Sequence, residues 1–168
     1  MLISNNDPIL HRPAKTVTEE QFADYKNNNV SLIASVLITE IYEKKALGVS
    51  AVQMGVDLAM FAMLVEDVPK ICVNPEIVAA SVEMELGEEG CLSFPGMRLK
   101  VKRPAGIVVR YKTLEGQEIT ERLEGIAARV WLHEYDHCQG ICFTDRVSKL
   151  RISMAKKRLA KKRPKSCP

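Results

Sequence analysis

Two of the three histidines in this 168-residue chain fall in one short stretch, Leu132-His133-Glu134-Tyr135-Asp136-His137. On a helix turning about 100° per residue, His133 and His137 lie roughly 40° apart on one face, so both imidazoles can reach a single metal ion. Glu134 falls roughly 80° to one side, near enough to touch a water on that ion and badly placed to ligate it. That is where a general base would stand, taking a proton from water and returning it to a leaving amine. Asp136 falls about as far to the other side, where a carboxylate could orient an imidazole N–H.

Hydrolytic metal sites normally take three protein ligands, so two histidines leave one to find. Peptidases with this motif commonly recruit a Glu or His downstream, yet after His137 the chain has neither, and Asp145 is its only acid. Upstream, Glu88-Glu89-Gly90-Cys91-Leu92-Ser93 sets a cysteine beside a glycine, where a backbone without a side chain admits close approach. Cys91 is the expected third ligand. A divalent ion held by one thiolate and two neutral imidazoles keeps a net charge of about +1 and can lower the pKa of its water toward neutrality. Extended backwards on the same wheel, Ile126, Arg129 and Val130 share the face of His133 and would line a cavity beside the metal. A guanidinium there must reach the rim or pair with a carboxylate.

With these residues on the page, the chain resembles the peptide deformylases. Three motifs stand in that family's order: Gly48-Val49-Ser50-Ala51-Val52-Gln53, Glu89-Gly90-Cys91-Leu92-Ser93 and His133-Glu134-Tyr135-Asp136-His137. Flanking similarity runs from Asp7-Pro8 to Phe143-Thr144-Asp145-Arg146. The resemblance implies hydrolysis of the N-terminal formamide of nascent N-formylmethionyl peptides to formate and a free amine. It implies ferrous iron, with zinc, nickel or cobalt also suited to the ligand set. It makes the cavity at Ile126, Arg129 and Val130 the pocket for a methionine side chain, with Gly48, Glu89 and Gly90 beside the substrate. It also casts Gln53 and the backbone N–H of Leu92 as donors to an oxyanion; without it, Gln53 would read as a buried structural amide. Two rival readings are a small metallopeptidase cutting internal bonds, which the missing downstream ligand disfavours, and a non-catalytic module whose metal is merely structural, which would need a fourth ligand.

The elements that must position these residues form an expected α+β fold, with antiparallel sheets packed around a central metal-binding helix and further helices at both ends. Asp7 to Pro13 is loop-like because of its two prolines, which leaves His11 a surface histidine. Asn27-Asn28-Asn29 is a polar loop before a helix over Ser31 to Lys45. Short apolar runs separated by turn residues predict strands at Leu58–Leu64, Lys70–Val73, Glu76–Val82, Gly106–Tyr111 and Glu118–Leu123, the last two joined through Leu114-Glu115-Gly116-Gln117. The metal helix runs from near Gly125 to Gly140, with Cys138 and Cys142 as core or near-surface thiols.

At 46% hydrophobic content, the length suits one sizeable core and hence a single catalytic domain over residues 1–168. Nothing approaches the roughly 18 apolar residues of a membrane span, and the N-terminus lacks a signal-peptide pattern. Five cysteines without framework spacing suit a reducing compartment, so the protein reads as cytoplasmic. Residues 146–168 carry ten Lys or Arg and no acid, which divides the net charge of +3 into +10 there and −7 over the other 145 residues. Thr144 or Asp145 would cap a helix through this segment to about Arg163, with Val147, Leu150 and Met154 facing the body and Pro164 stopping it. The resemblance makes the ribosome the partner of this basic helix at about 145–168; neither a membrane nor a specific nucleic-acid sequence is expected to bind.

Overall fold

The computed structural model describes residues 2–23 and 29–162. Helices α1 (Glu19–Ala23) and α2 (Asn29–Lys44) come first. Strands β1 (Gly48–Ser50), β2 (Met60–Val65), β3 (Val68–Ala80), β4 (Met84–Gly90), β5 (Arg98–Pro104), β6 (Gly106–Lys112) and β7 (Glu118–Glu124) follow, then α3 (Gly125–Cys138) and α4 (Lys149–Lys162). All strand pairings are antiparallel. They build one five-stranded sheet, β1-β2-β3-β6-β7, and a separate two-stranded sheet, β4-β5. This is the expected α+β class.

Strand β2 shows why the layers form. Its side chains alternate: Phe61 and Met63 pack with Trp131 and Leu132 of α3, whereas Met60 and Ala62 pack with Leu37 and Ile41 of α2. A strand covered on both faces must be apolar throughout, and Met60-Phe61-Ala62-Met63 is. Phe61 meets Trp131 edge-on with ring centroids 5.6 Å apart, and Trp131 stacks on Tyr135 at 5.1 Å. Such pairs contribute about 0.5–1.5 kcal/mol each beyond the area they bury. The helix carrying both motif histidines is thereby clamped to the large sheet on one side, while another side reaches β5 of the small one. It ends at Cys138, and Gly140 adopts φ +73° where a Cβ would meet the Arg12 backbone at 2.4–2.6 Å.

Several elements depart from expectation. Strands β4 and β5 are absent from the predicted set because β4, Met-Glu-Leu-Gly-Glu-Glu-Gly, is poor in strand-favouring residues. In β5 the alternation was legible: Leu99, Val101 and Arg103 point inward while Arg98, Lys100 and Lys102 stay exposed. The two strands predicted around Asn74-Pro75 are one, β3, which passes the proline through a register shift with Asn74 at φ +50°. Asn74 then grips the opposite segment, its amide exchanging two 2.8 Å hydrogen bonds with the Val17 backbone.

The basic helix also differs. Residues Phe143–Arg146 form a separate 3-10 turn, and α4 starts after Ser148, whose Oγ accepts from the Arg151 backbone N–H at 3.4 Å. Neither Thr144 nor Asp145 caps it. Leu150 and Met154 are 70% and 47% exposed rather than facing the body. The half-buried stripe is Ile152, Ala155 and Leu159, with Ala155 packed against the cluster of Met97, Leu99, Val101 and Phe143. Asn27, Asn28, Arg163 and Pro164 lie outside the described residues. No described helix is long and apolar enough to cross a membrane.

Candidate active site

Strand β4 ends at Gly90, so Cys91 leaves the small sheet pointing at α3. Its Sγ lies 3.3 Å from His137 Nε2, and one ligand atom each from Cys91, His133 and His137 falls within 4.8 Å of the other two. The rings of His133 and His137 sit 5.1 Å apart and nearly perpendicular. Among the described residues, the donors that converge here are these three, one sulfur and two imidazole nitrogens. His137 is fully buried beneath the cleft, whereas Cys91, His133 and Glu134 line it.

His133 is oriented from behind. Its Nδ1 lies 2.9 Å from Glu89 Oε2, which leaves the other ring nitrogen for the site. Asp136, expected in that orienting role, turns the other way: it accepts from Arg103 Nη1 at 2.5 Å and from Arg146 Nε and Nη2 at 3.0 and 2.5 Å. Helical geometry put Asp136 on the correct flank of α3, but a carboxylate arriving from β4 reaches the imidazole instead. Between these acids stands Arg103, which sequence reasoning did not single out. It is buried, donates to both oxygens of Glu89 at 2.9 Å, and reaches Asp136 with its remaining nitrogen. The inward alternation of Leu99, Val101 and Arg103 was the signal that could have found it.

Glu89 was expected beside the substrate. It lines the cleft, but its carboxylate is committed to Arg103, to His133 and, at 2.9 Å, to Arg129 Nη1. Burial alone would raise the pKa of this acid; hydrogen bonds from His133 and Arg103 outweigh it and hold the acid at about 2. Arg129 resolves its own alternative by pairing: beyond Glu89 it donates to the carbonyls of Val101 and Glu85, both at 3.0 Å. It thus ties the β4-β5 sheet to α3 while its flank faces the cleft.

Gln53 lies in the 3-10 turn Ala51–Met54, held by a capping box in which its Oε1 accepts from Ser50 N at 2.9 Å and Ser50 Oγ at 3.1 Å. With the oxygen so occupied, its Nε2 is aimed at Cys91 Sγ, 3.3 Å away, and Ser93 Oγ, 3.1 Å away. An amide fixed at one end presents a donor at the other. Gly48, Gly90, Leu92, Ile126 and Val130 complete the walls of the same cleft, whose volume is about 700 Å³. Ile126 is 66% exposed at its mouth, so it is no part of the core.

The electrostatics suit a cation at the centre. Burial works against protonation of His133, yet the flanking Cys91 and Glu89 raise its pKa to about 10; the same electron-rich partners that favour positive charge at this ring would favour a metal cation in place of the proton. Burial and the neighbouring His133 and Arg103 charges push His137 well below the ordinary imidazole value, which keeps a lone pair available. Glu134 is displaced upward to about 7 by burial, only partly opposed by His133. Its Oε2 has no hydrogen-bond partner, an acceptor left open in a buried site. One sulfur and two imidazole nitrogens suit iron, zinc, nickel or cobalt, so the residues fit such an ion.

Gly48 is the reason Glu134 can sit there. A Cβ at position 48 would lie 2.7 Å from Glu134 Oε1 and 2.9 Å from its Cγ. Gly48→Ala is therefore expected to displace the carboxylate and lower kcat on the order of 10²-fold. Metal content by elemental analysis should be unchanged, since no ligand moves.

Comparison with known proteins agrees with this geometry. The polypeptide deformylase family profile matches residues 1–153. The peptide deformylase of Thermotoga petrophila is 38% identical over 153 residues, covering 91% of this chain and 90% of that protein. The crystal structure of peptide deformylase from Thermotoga maritima aligns with a TM-score of 0.82 at 36% identity, covering 88% of this chain and 97% of that one. A class I type b peptide deformylase from Acinetobacter baumannii, solved with Met-Ala-Ser bound, gives 0.82 at 30% identity, covering 88% and 97%. A family match over nine-tenths of the chain, on a fold that assembles all three motifs at one cleft, shows that this chain belongs to the peptide deformylase family.

Proposed function

We propose that Cys91, His133 and His137 hold one divalent ion, ferrous iron in our reading, at which this metal-dependent hydrolase removes the formyl group from the N-terminus of nascent polypeptides. The observation that carries this reading is the convergence of one sulfur and two imidazole donors beside a buried, partnerless Glu134 oxygen. When bound, such an ion supplies Lewis acidity and brings the pKa of water toward neutrality. Glu134 takes the proton from the attacking water and delivers it to the leaving amine, a transfer suited to a group held near 7. Gln53 Nε2 and the backbone N–H of Leu92 donate to the oxyanion developing on the formyl oxygen. Gly48 and Gly90 leave room for the peptide backbone, Ile126 and Val130 give apolar wall to the methionine side chain, and Arg129 steadies that wall. Glu89 fixes His133 from behind rather than touching substrate.

An anaerobic preparation should contain one ion per catalytic site and release formate from formyl-Met peptides while leaving acetyl-Met peptides intact. Cleavage of internal peptide bonds would favour the metallopeptidase reading. Cys91, upstream of the helix rather than downstream, favours deformylation.

The chain acts as one catalytic domain that docks on the ribosome through its basic helix. Lys149, Arg151, Lys156, Lys157, Arg158 and Lys161 are all exposed on α4. Leu159 has another duty, since its Cδ1 would meet a Cβ placed on Gly96 at 2.8 Å, and Gly96 lines the cleft. Charge reversal is thus a cleaner test than truncation. Lys156→Glu, Lys157→Glu and Lys161→Glu together should leave turnover of a short formyl-Met peptide unchanged while reducing co-sedimentation with ribosomes. The wild-type interaction should fall steeply as salt rises. Equal co-sedimentation at low salt would overturn the docking assignment.

A further inference from the structure

Away from the cleft, a second trio of ligand-type side chains meets where the N-terminal segment crosses the turn after α3. His11 ends the 3-10 turn Pro8–His11, and Cys142 and Asp145 open the turn Phe143–Arg146. One ligand atom from each lies within 4.8 Å of the other two. The crossing is rigid: Gly140 packs directly on the Arg12 backbone, and Leu10, Val52 and Cys142 form one fully buried cluster.

The surrounding contacts orient these groups without exhausting them. His11 Nε2 lies 2.9 Å from the carbonyl oxygen of Asn5, and a proton donated there leaves the other ring nitrogen with its lone pair. Asp145 accepts the Cys142 backbone N–H at 2.8 Å through Oδ2 alone, leaving Oδ1. Cys142 Sγ accepts from the Asp145 backbone N–H and otherwise has only the Leu10 carbonyl oxygen, 3.9 Å away. These contacts therefore leave each of the three residues with a lone pair still to give.

We propose that His11, Cys142 and Asp145 form a second metal site, structural rather than catalytic, for a thiophilic divalent cation such as zinc. Binding breaks the Cys142 S–H bond, releases that proton to solvent and forms a sulfur–metal bond, with no change of oxidation state. Burial pushes the free thiol up to about 12, so the cation rather than the solvent drives deprotonation. A thiolate, a carboxylate and a neutral imidazole cancel the ion's two charges, whereas the catalytic trio, with one anionic ligand, leaves about +1. The second site thus lacks the residual charge that acidifies water. What it supplies is a cross-link between residues 11 and 142. The same buried cluster contains Val52 and touches Ile3, whose N–H donates to the Gln53 carbonyl at 3.0 Å. A bound ion would stiffen the base of the turn that presents Gln53.

Zinc content after equilibrium dialysis of the full-length protein separates the two sites. Wild-type protein should hold two zinc ions per chain, and Cys91→Ser, Cys142→Ser and His11→Ala one each. Because His11 is exposed, His11→Ala keeps the question answerable if Cys142→Ser fails to fold. With cobalt, Cys91→Ser should retain a thiolate-to-cobalt absorption band that disappears when Cys142→Ser is added. Zinc should raise the thermal midpoint of Cys91→Ser but not of the Cys91→Ser, His11→Ala double variant. One zinc in the wild type that Cys91→Ser loses, two in His11→Ala, or no thiolate band in cobalt-loaded Cys91→Ser would overturn the proposal. One zinc in the wild type that Cys91→Ser retains would instead count against the catalytic assignment, so the two failures are distinguishable.

Discussion

Glu134→Gln is expected to reduce formate release roughly 10²-fold or more while leaving metal content unchanged. The amide is nearly isosteric, so it keeps the packing of a side chain that is buried and hemmed in by Gly48. It cannot accept and return a proton. Because Glu134 stands beside the ligand trio rather than in it, all three donors survive the change. The contrast with Gly48→Ala is informative, because that variant keeps the base but moves it and should retain more activity. Elemental analysis alongside steady-state kinetics decides the matter; stoichiometric loss of metal from Glu134→Gln would mean that its carboxylate is a ligand.

Arg103→Met should destabilise the protein by about 3–5 kcal/mol, the usual cost of stranding buried carboxylates by removing their shared partner. Arg103 joins Glu89 to Asp136, and the side chains of all three are only 4% exposed. Arg129 remains on Glu89 and Arg146 on Asp136, which favours the lower end of that range. The second consequence is functional: a loosened Glu89 no longer fixes His133, so metal affinity should fall about 10–100-fold. Denaturant melts would read the first effect and competition with a chelator the second. Arg103→Lys should recover little of either, because one ammonium cannot reproduce a fork reaching two carboxylates. A stable variant with wild-type metal affinity would show that the network is ornamental to the site.

Much of the site was legible because its logic is local. The four-residue separation of His133 and His137 places them on one helical face whatever surrounds the helix, and the same arithmetic puts Glu134 to the side. Gln53 was legible only by resemblance, because the Ser50 capping box that turns its amide toward Cys91 depends on a strand ending where β1 does. Fold class was readable from the apolar runs of β2 and β6 and from the alternation of Ile119 and Leu123 with polar residues in β7. Strand β4 was not, because Glu and Gly dominate it, and its pairing with β5 overrides weak propensity.

By itself, then, the chain determined the donor types, their spacing on α3, the acid–base group and the charge division between body and tail, since each follows from residue identity and helical or strand period. Tertiary structure alone decided which carboxylate orients His133, what the buried Arg103 bridges, and which stripe of α4 faces inward. It also decided that His11, Cys142 and Asp145 meet. Those outcomes depend on contacts between segments from 14 to more than 130 residues apart, as from Glu89 to Arg103 and from His11 to Cys142. No periodicity within a single element encodes them, because the partner that wins is the one the packed layers bring within hydrogen-bonding distance.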